Sequence, residues 1–349
     1  MSLIFKHKNV AFSLSVSAIE NKDLQKKIQL ALKDVFKGFI SCSAECISIE
    51  FIFTDNIESF IVDKEFIRVK DVKVGKTQTH FKDRELDFLI DNSNKFKVYI
   101  NVSDNETLKS SLRIFNKAFK NNIELQITTF YYRIFLLFTQ IWNVENNCSY
   151  VHASAIEVNG ESILFTADSG VGKSSLLFKL SQDDNFKFIA DDLTIISDQA
   201  ESYYQGRCLS VKPYHLNFYN FLADRLSLLM TRMQKLQWKF LKDNRLTYRL
   251  SPNDLFANIC EKSKIKSIIH LCNHDKDTFE IKNITTQELM NFTIPILTNE
   301  LFLANHKLNT LASLPFSPFQ STAKIYTASE DIFNSAFKNR SLKLVLVPY

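Results

Sequence analysis

The stretch Ile163-Leu-Phe-Thr-Ala-Asp-Ser-Gly-Val-Gly-Lys-Ser-Ser-Leu-Leu-Phe-Lys-Leu180 decides how the rest of the chain is read. Its middle, Ala167 to Ser174, follows the spacing G-x-x-x-x-G-K-[ST], with Ala167 in place of the first glycine and Gly172-Lys173-Ser174 intact. The apolar run Ile163-Leu164-Phe165 predicts a strand before it, and Ser175–Leu180 a helix after it. The chain has only 6 glycines, and Gly160, Gly170 and Gly172 all fall in or just ahead of this window. Glycine accepts positive φ, so successive backbone N–H groups can turn inward as an anion nest. The helix entry adds unpaired N–H groups and the positive end of its dipole. Lys173 would set a point charge on the β- and γ-phosphates, and the Ser174 hydroxyl is a hard oxygen ligand for Mg²⁺. The competing reading is a chance glycine-containing helix entry, and Ala167 speaks for it, because the tight turn there prefers glycine. The strand and helix on the correct sides favour a phosphate loop for a nucleoside triphosphate, ATP above all, with Asp168, Ser169, Gly170, Val171, Gly172, Lys173, Ser174 and Ser175 as the binding segment.

Downstream, Phe186-Lys-Phe-Ile-Ala190 runs into Asp191-Asp192. Two adjacent acids at the end of a buried strand are costly unless they meet a cation. Ligands of α/β sheets bind beyond the carboxyl ends of the strands, which would put this pair beside the phosphate loop. One carboxylate could coordinate Mg²⁺ and the other accept the proton of an attacking hydroxyl; a strand-end turn with an Asx cap is the plain alternative. Neighbouring residues on a regular strand point to opposite faces, so both acids reach one site only if the backbone bends at Asp191.

The 349 residues suffice for about two domains. With 45% hydrophobic and 23% charged residues the chain can bury a core. Its formal net charge of +5 is dispersed, with no basic arm, so solvated surfaces are expected rather than a nucleic-acid interface. Cys42, Cys46, Cys148, Cys208, Cys260 and Cys272 lack zinc spacing and read as free thiols in a reducing compartment. The start MSLIFKHKNV lacks the apolar stretch of a signal peptide, and Phe130–Trp142 is too short to span a bilayer, so a soluble, cytoplasmic protein without membrane contact is expected.

Residues 1–147 read as a smaller mixed α/β domain: strands at Val10–Val16, Cys46–Phe53 and Lys95–Val102, helices at Asn21–Phe39, Asp104–Phe119 and Leu125–Trp142. That half shows no recognisable chemistry and is expected to recognise a partner or pack a homo-oligomer. Residues 148–349 read as the nucleotide-binding domain. Tyr150–Val158 and Ser162–Ala167 flank Asn159-Gly160, a strong hairpin signal. Leu193–Ile196 continues or resumes the strand before Asp191, and Cys208–Val211 is a further strand. A helical insertion is expected over about 217–262, with Phe218–Lys242 as an amphipathic helical pair or lid. Strands Ile265–Cys272 and Thr278–Ile281, a mostly helical Thr286–Asn309, then Ala323–Thr327, the helix Glu330–Asn339 and the strand Leu342–Pro348 complete the order.

The succession His152-Ala-Ser-Ala-Ile-Glu157, Asn159-Gly160, Asp168-Ser-Gly-Val-Gly-Lys-Ser174 and Ala190-Asp-Asp192 resembles the C-terminal catalytic domain of the HPr kinase/phosphorylase family. The resemblance is sharp from about Tyr150 to Ser197. It implies an α/β (α+β) fold of the HPr kinase/phosphoenolpyruvate carboxykinase-like P-loop type. Gly170, Gly172 and Lys173 would cradle the phosphates, and Ser174 would bind Mg²⁺. Asp191 would be the base or orienter for the accepting hydroxyl, and Asp192 a metal-side carboxylate. His152 would lie near the transferring phosphate. The family's segment of a Glu followed by Arg-Gly and another Gly is absent. Gly206-Arg-Cys208 and Val211-Lys-Pro-Tyr-His215 occupy roughly that region, which makes Arg207 and Lys212 candidates for charge stabilisation.

The expected activity is Mg²⁺–ATP-dependent phosphotransfer to a Ser/Thr-type hydroxyl of a protein or peptide, with precursor peptides of natural-product clusters among the acceptors of divergent relatives. The alternatives are a non-catalytic nucleotide-binding switch or ATPase, and a small-molecule hydroxyl kinase.

Overall fold

In a computed structural model the described residues are 2–8, 10–43, 47–69, 72–83, 86–104, 122–241, 247–301 and 322–348. The expected helix Asp104–Phe119 lies outside them except for its first residue, and so does the end of Thr286–Asn309. The protein is mixed α and β, with two large mixed sheets.

The first sheet has eight strands: β1 (Ser2–His7), β2 (Val10–Ala18), β3 (Ile49–Thr54), β4 (Ile67–Val69), β5 (Val72–Val74), β6 (Gln78–Asp83), β7 (Leu86–Asp91) and β8 (Lys97–Asn101), in the order β1-β2-β3-β8-β7-β6-β5-β4. Only three of these were expected, at β2, β3 and β8. The short strands β4 and β5 carry too few residues to show an alternating pattern. Helix α1 (Lys22–Val35) starts where Asn21 accepts hydrogen bonds from the N–H groups of Asp23 (3.0 Å) and Leu24 (3.1 Å), and buries Leu24, Ile28, Leu32 and Val35.

Helices α2 (Asn122–Phe130) and α3 (Leu136–Glu145) are joined by a π-helical turn, Tyr131–Phe135. This long element is the expected Leu125–Trp142 helix extended at both ends. Phe130, Phe135 and Phe138 are almost wholly buried, in a core that runs without a break from Phe5 and Phe12 to Tyr150, Ile195 and Phe333. No helix among the described residues is long and apolar enough to cross a membrane.

The second sheet has nine strands: β9 (Cys148–Val151), β10 (Ala153–Val158), β11 (Glu161–Thr166), β12 (Lys187–Ala190), β13 (Thr194–Ser197), β14 (Glu201–Tyr203), β17 (Lys262–His274), β18 (Glu280–Asn283) and β19 (Ser341–Pro348). A separate ribbon pairs β15 (Leu209–Val211) with β16 (Tyr248–Leu250). The hairpin at Asn159-Gly160 is present: Val158 pairs Glu161, and both turn residues have positive φ (53° and 83°). The expected single strand Tyr150–Val158 is instead broken at His152. Residues before the break pair with β13, and those after it with β11 and β12.

Helix α4 (Lys173–Leu180) follows β11; α5 (Asn220–Leu229) and α6 (Arg232–Leu241) form the expected helical pair; α7 (Thr286–Leu301) and α8 (Thr322–Phe337) cover the sheet. Ala323–Thr327 belongs to α8, whose buried Ile325, Ile332 and Phe333 share one apolar face.

Strand direction places the site. β11 and β12 are each antiparallel to β10, which lies between them. They therefore run the same way, and their carboxyl ends leave the sheet on one edge. β10 begins at that same edge. Ala167, Asp191 and His152 are thus brought together by topology alone.

Candidate nucleotide site

The loop after β11 takes the nest conformation. Gly170 and Gly172 have φ of +93° and +109°, and nothing stands within 4 Å of where a Cβ would be at either residue. Lys173 is 7% exposed, and its Nζ donates to the carbonyls of Ala167 (2.8 Å) and Asp168 (3.0 Å), arching over the loop's own backbone. Burial lowers its pKa, opposed by Asp192 and Asp191. Among the described residues its ammonium has two carbonyl partners and no carboxylate at ion-pair distance.

The backbone does bend at the acid pair: Asp192 has φ +71°, a left-handed conformation, between the separate strands β12 and β13. The bend turns the two carboxylates to different partners. Asp191, 2% exposed, accepts from Ser154 Oγ at 2.9 Å and from Ser174 Oγ at 3.1 and 3.2 Å. Burial, and then Asp192, raise its pKa. Asp192 pairs with the Arg207 guanidinium and lies 3.5 Å from His152 Nε2. Burial pushes Asp192 upward, but Arg207, His152 and Lys173 outweigh it and hold the group below the ordinary carboxylate range. The two acids, which the resemblance assigns to the acceptor hydroxyl (Asp191) and the metal side (Asp192), have separate partners: Asp191 meets Ser154 and Ser174, and Asp192 meets Arg207 and His152. The carboxylate in contact with Ser174 is Asp191, because the left-handed turn swings Asp192 toward Arg207.

Arg207 is positioned by Tyr132 on the π-helical turn. Its NH2 donates to the Tyr132 hydroxyl at 3.1 Å, and its carbon lies 5.2 Å from the ring centre. His152, 2% exposed, has neither ring nitrogen hydrogen-bonded, and burial lowers its pKa to about 4 against the pull of Asp192. On its other side Nδ1 faces Glu300 Oε1 at 4.0 Å. Burial, and then Asp192, raise the Glu300 pKa.

These groups open on a cleft of about 430 Å³, lined among others by Ser169, Gly170, Lys173, Ser174, Ser175, Asp191, Asp192, Arg207 and Lys212. Val171 sits between the two glycines and does not line the cleft; Asp168 contributes its carbonyl to Lys173. Lys212 enters from the turn after β15, where its backbone N–H donates to His215 Nδ1 at 3.0 Å. Among the described residues no cluster of three or more His, Cys, Asp or Glu side chains could enclose a metal ion. Mg²⁺ needs none, since one or two carboxylates with substrate phosphates and water complete its shell. The residues fit such an ion: Asp191 is a buried carboxylate whose partners here, Ser154 and Ser174, are neutral hydroxyls, and Ser174 shares its position.

Ser154, Tyr132 and Glu300 are members of the cluster that the sequence did not point to. Ser154 had a signal, because it stands two residues after His152 and a strand turns alternate residues to one face. Tyr132 and Glu300 belong to helices remote in sequence and carry no motif.

No family model matches the chain, and no curated protein matches it. Among solved structures it is similar to the HPr(Ser) kinase/phosphatase from Coxiella burnetii, at 13% identity over 46% of this chain and 92% of that one, with a TM-score of 0.23, a likeness too distant to carry a structural argument.

Proposed function

We propose that the protein is a Mg²⁺–ATP-dependent phosphotransferase of the HPr kinase-like type, acting on a Ser/Thr-type hydroxyl of a protein or peptide. The observation that carries this reading is the pairing of two differently placed carboxylates with one phosphate loop: Asp191 on Ser174, and Asp192 on Arg207 and His152. A pure nucleotide binder needs the first and has no use for the second.

In this reading the loop N–H groups and Lys173 bind the phosphates, and Ser174 and Asp191 hold Mg²⁺, which neutralises phosphate charge when bound. Asp192 accepts the proton of the acceptor hydroxyl as its oxygen bonds to the γ-phosphorus, the bridging P–O bond breaks and ADP departs. Arg207 fixes the direction of Asp192 and offsets its charge beside the phosphates. Lys212 offsets charge on the transferring group. Residues 148–349 would form the catalytic domain, and residues 1–147 would pack a homo-oligomer or add to partner recognition.

The test is intact-mass measurement of candidate acceptor peptides after incubation with Mg²⁺–ATP. Asp192→Asn is expected to bind ATP normally and to lose about 10²–10⁴-fold in transfer rate. Undiminished transfer in that variant would remove the base from the mechanism.

A further inference from the structure

Beside the catalytic cleft lies a second, larger groove of about 640 Å³, between the turn Pro213–Asn217 and the helices α5 and α6. Tyr214 lines both, so the groove begins where the cleft ends. Its floor is apolar: Leu226 from α5, Met230 just after that helix, and the half-buried ring of Trp238 from α6. Its charged lining residues are Lys235 and Lys239, both exposed and without an ion pair among the described residues. On α6, Leu236 and Phe240 are 49% and 75% exposed.

The chemistry of the lining selects the occupant. An adenine ring is uncharged and would make no use of two lysines. A second copy of this chain carries a net charge of +5, and residues 220–241 hold Arg225, Arg232, Lys235 and Lys239 against the single acid Asp224. Self-association through this face would oppose like charges. An extended peptide continuing from a hydroxyl at Asp192 past Tyr214 would enter a groove that offers it both an apolar floor and two ammonium groups.

We propose that this groove docks the acceptor: a peptide segment with an apolar anchor residue flanked by Asp or Glu, next to the hydroxyl to be phosphorylated. This deepens the kinase reading and rests on it for the identity of the occupant. The anchor supplies affinity by burial against Trp238 and Leu226, and the lysines supply selection by sign of charge.

Docking can be measured apart from transfer. Two fluorescein-labelled peptides with Ala at the acceptor position share a Leu anchor, one flanked by Glu and the other by Lys. Their binding to the full chain is read by anisotropy without nucleotide. The Glu peptide is expected to bind at least about tenfold tighter, and the double variant Lys235→Glu, Lys239→Glu to reverse that order with unchanged ATP affinity. Trp238→Ala is expected to weaken both peptides. Equal binding of the two peptides, or no change in the charge-reversed variant, overturns the proposal. A fall in ATP affinity with Trp238→Ala and unaltered peptide binding overturns it in favour of a base-binding role. Selective peptide binding with no transfer to the matching Ser peptide would sink the kinase reading and leave the docking groove standing.

Discussion

The Ser174 hydroxyl lies 3.1 and 3.2 Å from the two oxygens of the Asp191 carboxylate, joining the first turn of α4 to the end of β12. Both groups present hard oxygens to the same point of the cleft. Ser174→Ala and Asp191→Asn are therefore expected to raise the Mg²⁺ concentration needed for half-maximal nucleotide binding, each by about tenfold or more. The double variant should cost little beyond either single one, because the two ligands serve one ion. Titration of Mg²⁺ at fixed ATP measures this, and strictly additive losses would separate the two residues.

Lys173 is buried with carbonyls for partners and with Asp191 and Asp192 nearby. Lys173→Ala is expected to lower ATP affinity at least about tenfold, the worth of a hydrogen bond to a charged group. The fold should persist, since the ammonium is costly to bury. Equilibrium dialysis with ATP, beside a thermal melt, checks both halves. Wild-type affinity in a folded variant ends the phosphate-loop reading.

Gly172 has φ +109° with open space around its missing side chain. Gly172→Ala meets no clash, so its cost is conformational, about 1–2 kcal/mol. A lower melting temperature is expected together with weaker nucleotide binding, because relaxation of φ turns the N–H groups out of the nest. Chemical denaturation and nucleotide titration of the same variant test the two effects together.

His7 is 1% exposed, and its Nε2 donates to the Gln205 carbonyl at 2.9 Å, tying β1 to the strand end that leads to Arg207. Burial lowers its pKa from 6.5 to about 4, against the raising effect of that bond. The unfolded chain thus binds a proton that the folded one does not between these values. Stability is full above about pH 6.5 and falls as pH drops toward 4, by about 3 kcal/mol at most from this residue. His7→Phe, set among Phe12, Phe39 and Phe135, should remove this residue's share of that dependence and leave the shares of His152, His215 and His270, whose pKa values burial also lowers to about 4. Denaturation midpoints from pH 7 to pH 4 measure the slope; an unchanged slope would show that His7 is not the group responsible.

The sequence by itself determined the parts of this protein whose physics is local. Gly170 and Gly172 announce a nest because few other residues take that φ, and Asn159-Gly160 announces its hairpin for the same reason. The demand for a bend at Asp191-Asp192 followed from strand pleating alone. Only the tertiary structure decided which acid faces Ser174 and which faces Arg207, because one left-handed residue sets the two directions. It also decided the break of the hairpin's first strand at His152, which depends on which neighbours the flanking residues pair with. Tyr132 lines the cleft and Glu300 comes within 4.0 Å of His152, each from a separate helix, and no local pattern encodes a meeting made by packing. The same holds for the groove beside Tyr214: the sequence shows an amphipathic helical pair, and only folding shows which of its apolar side chains are left uncovered.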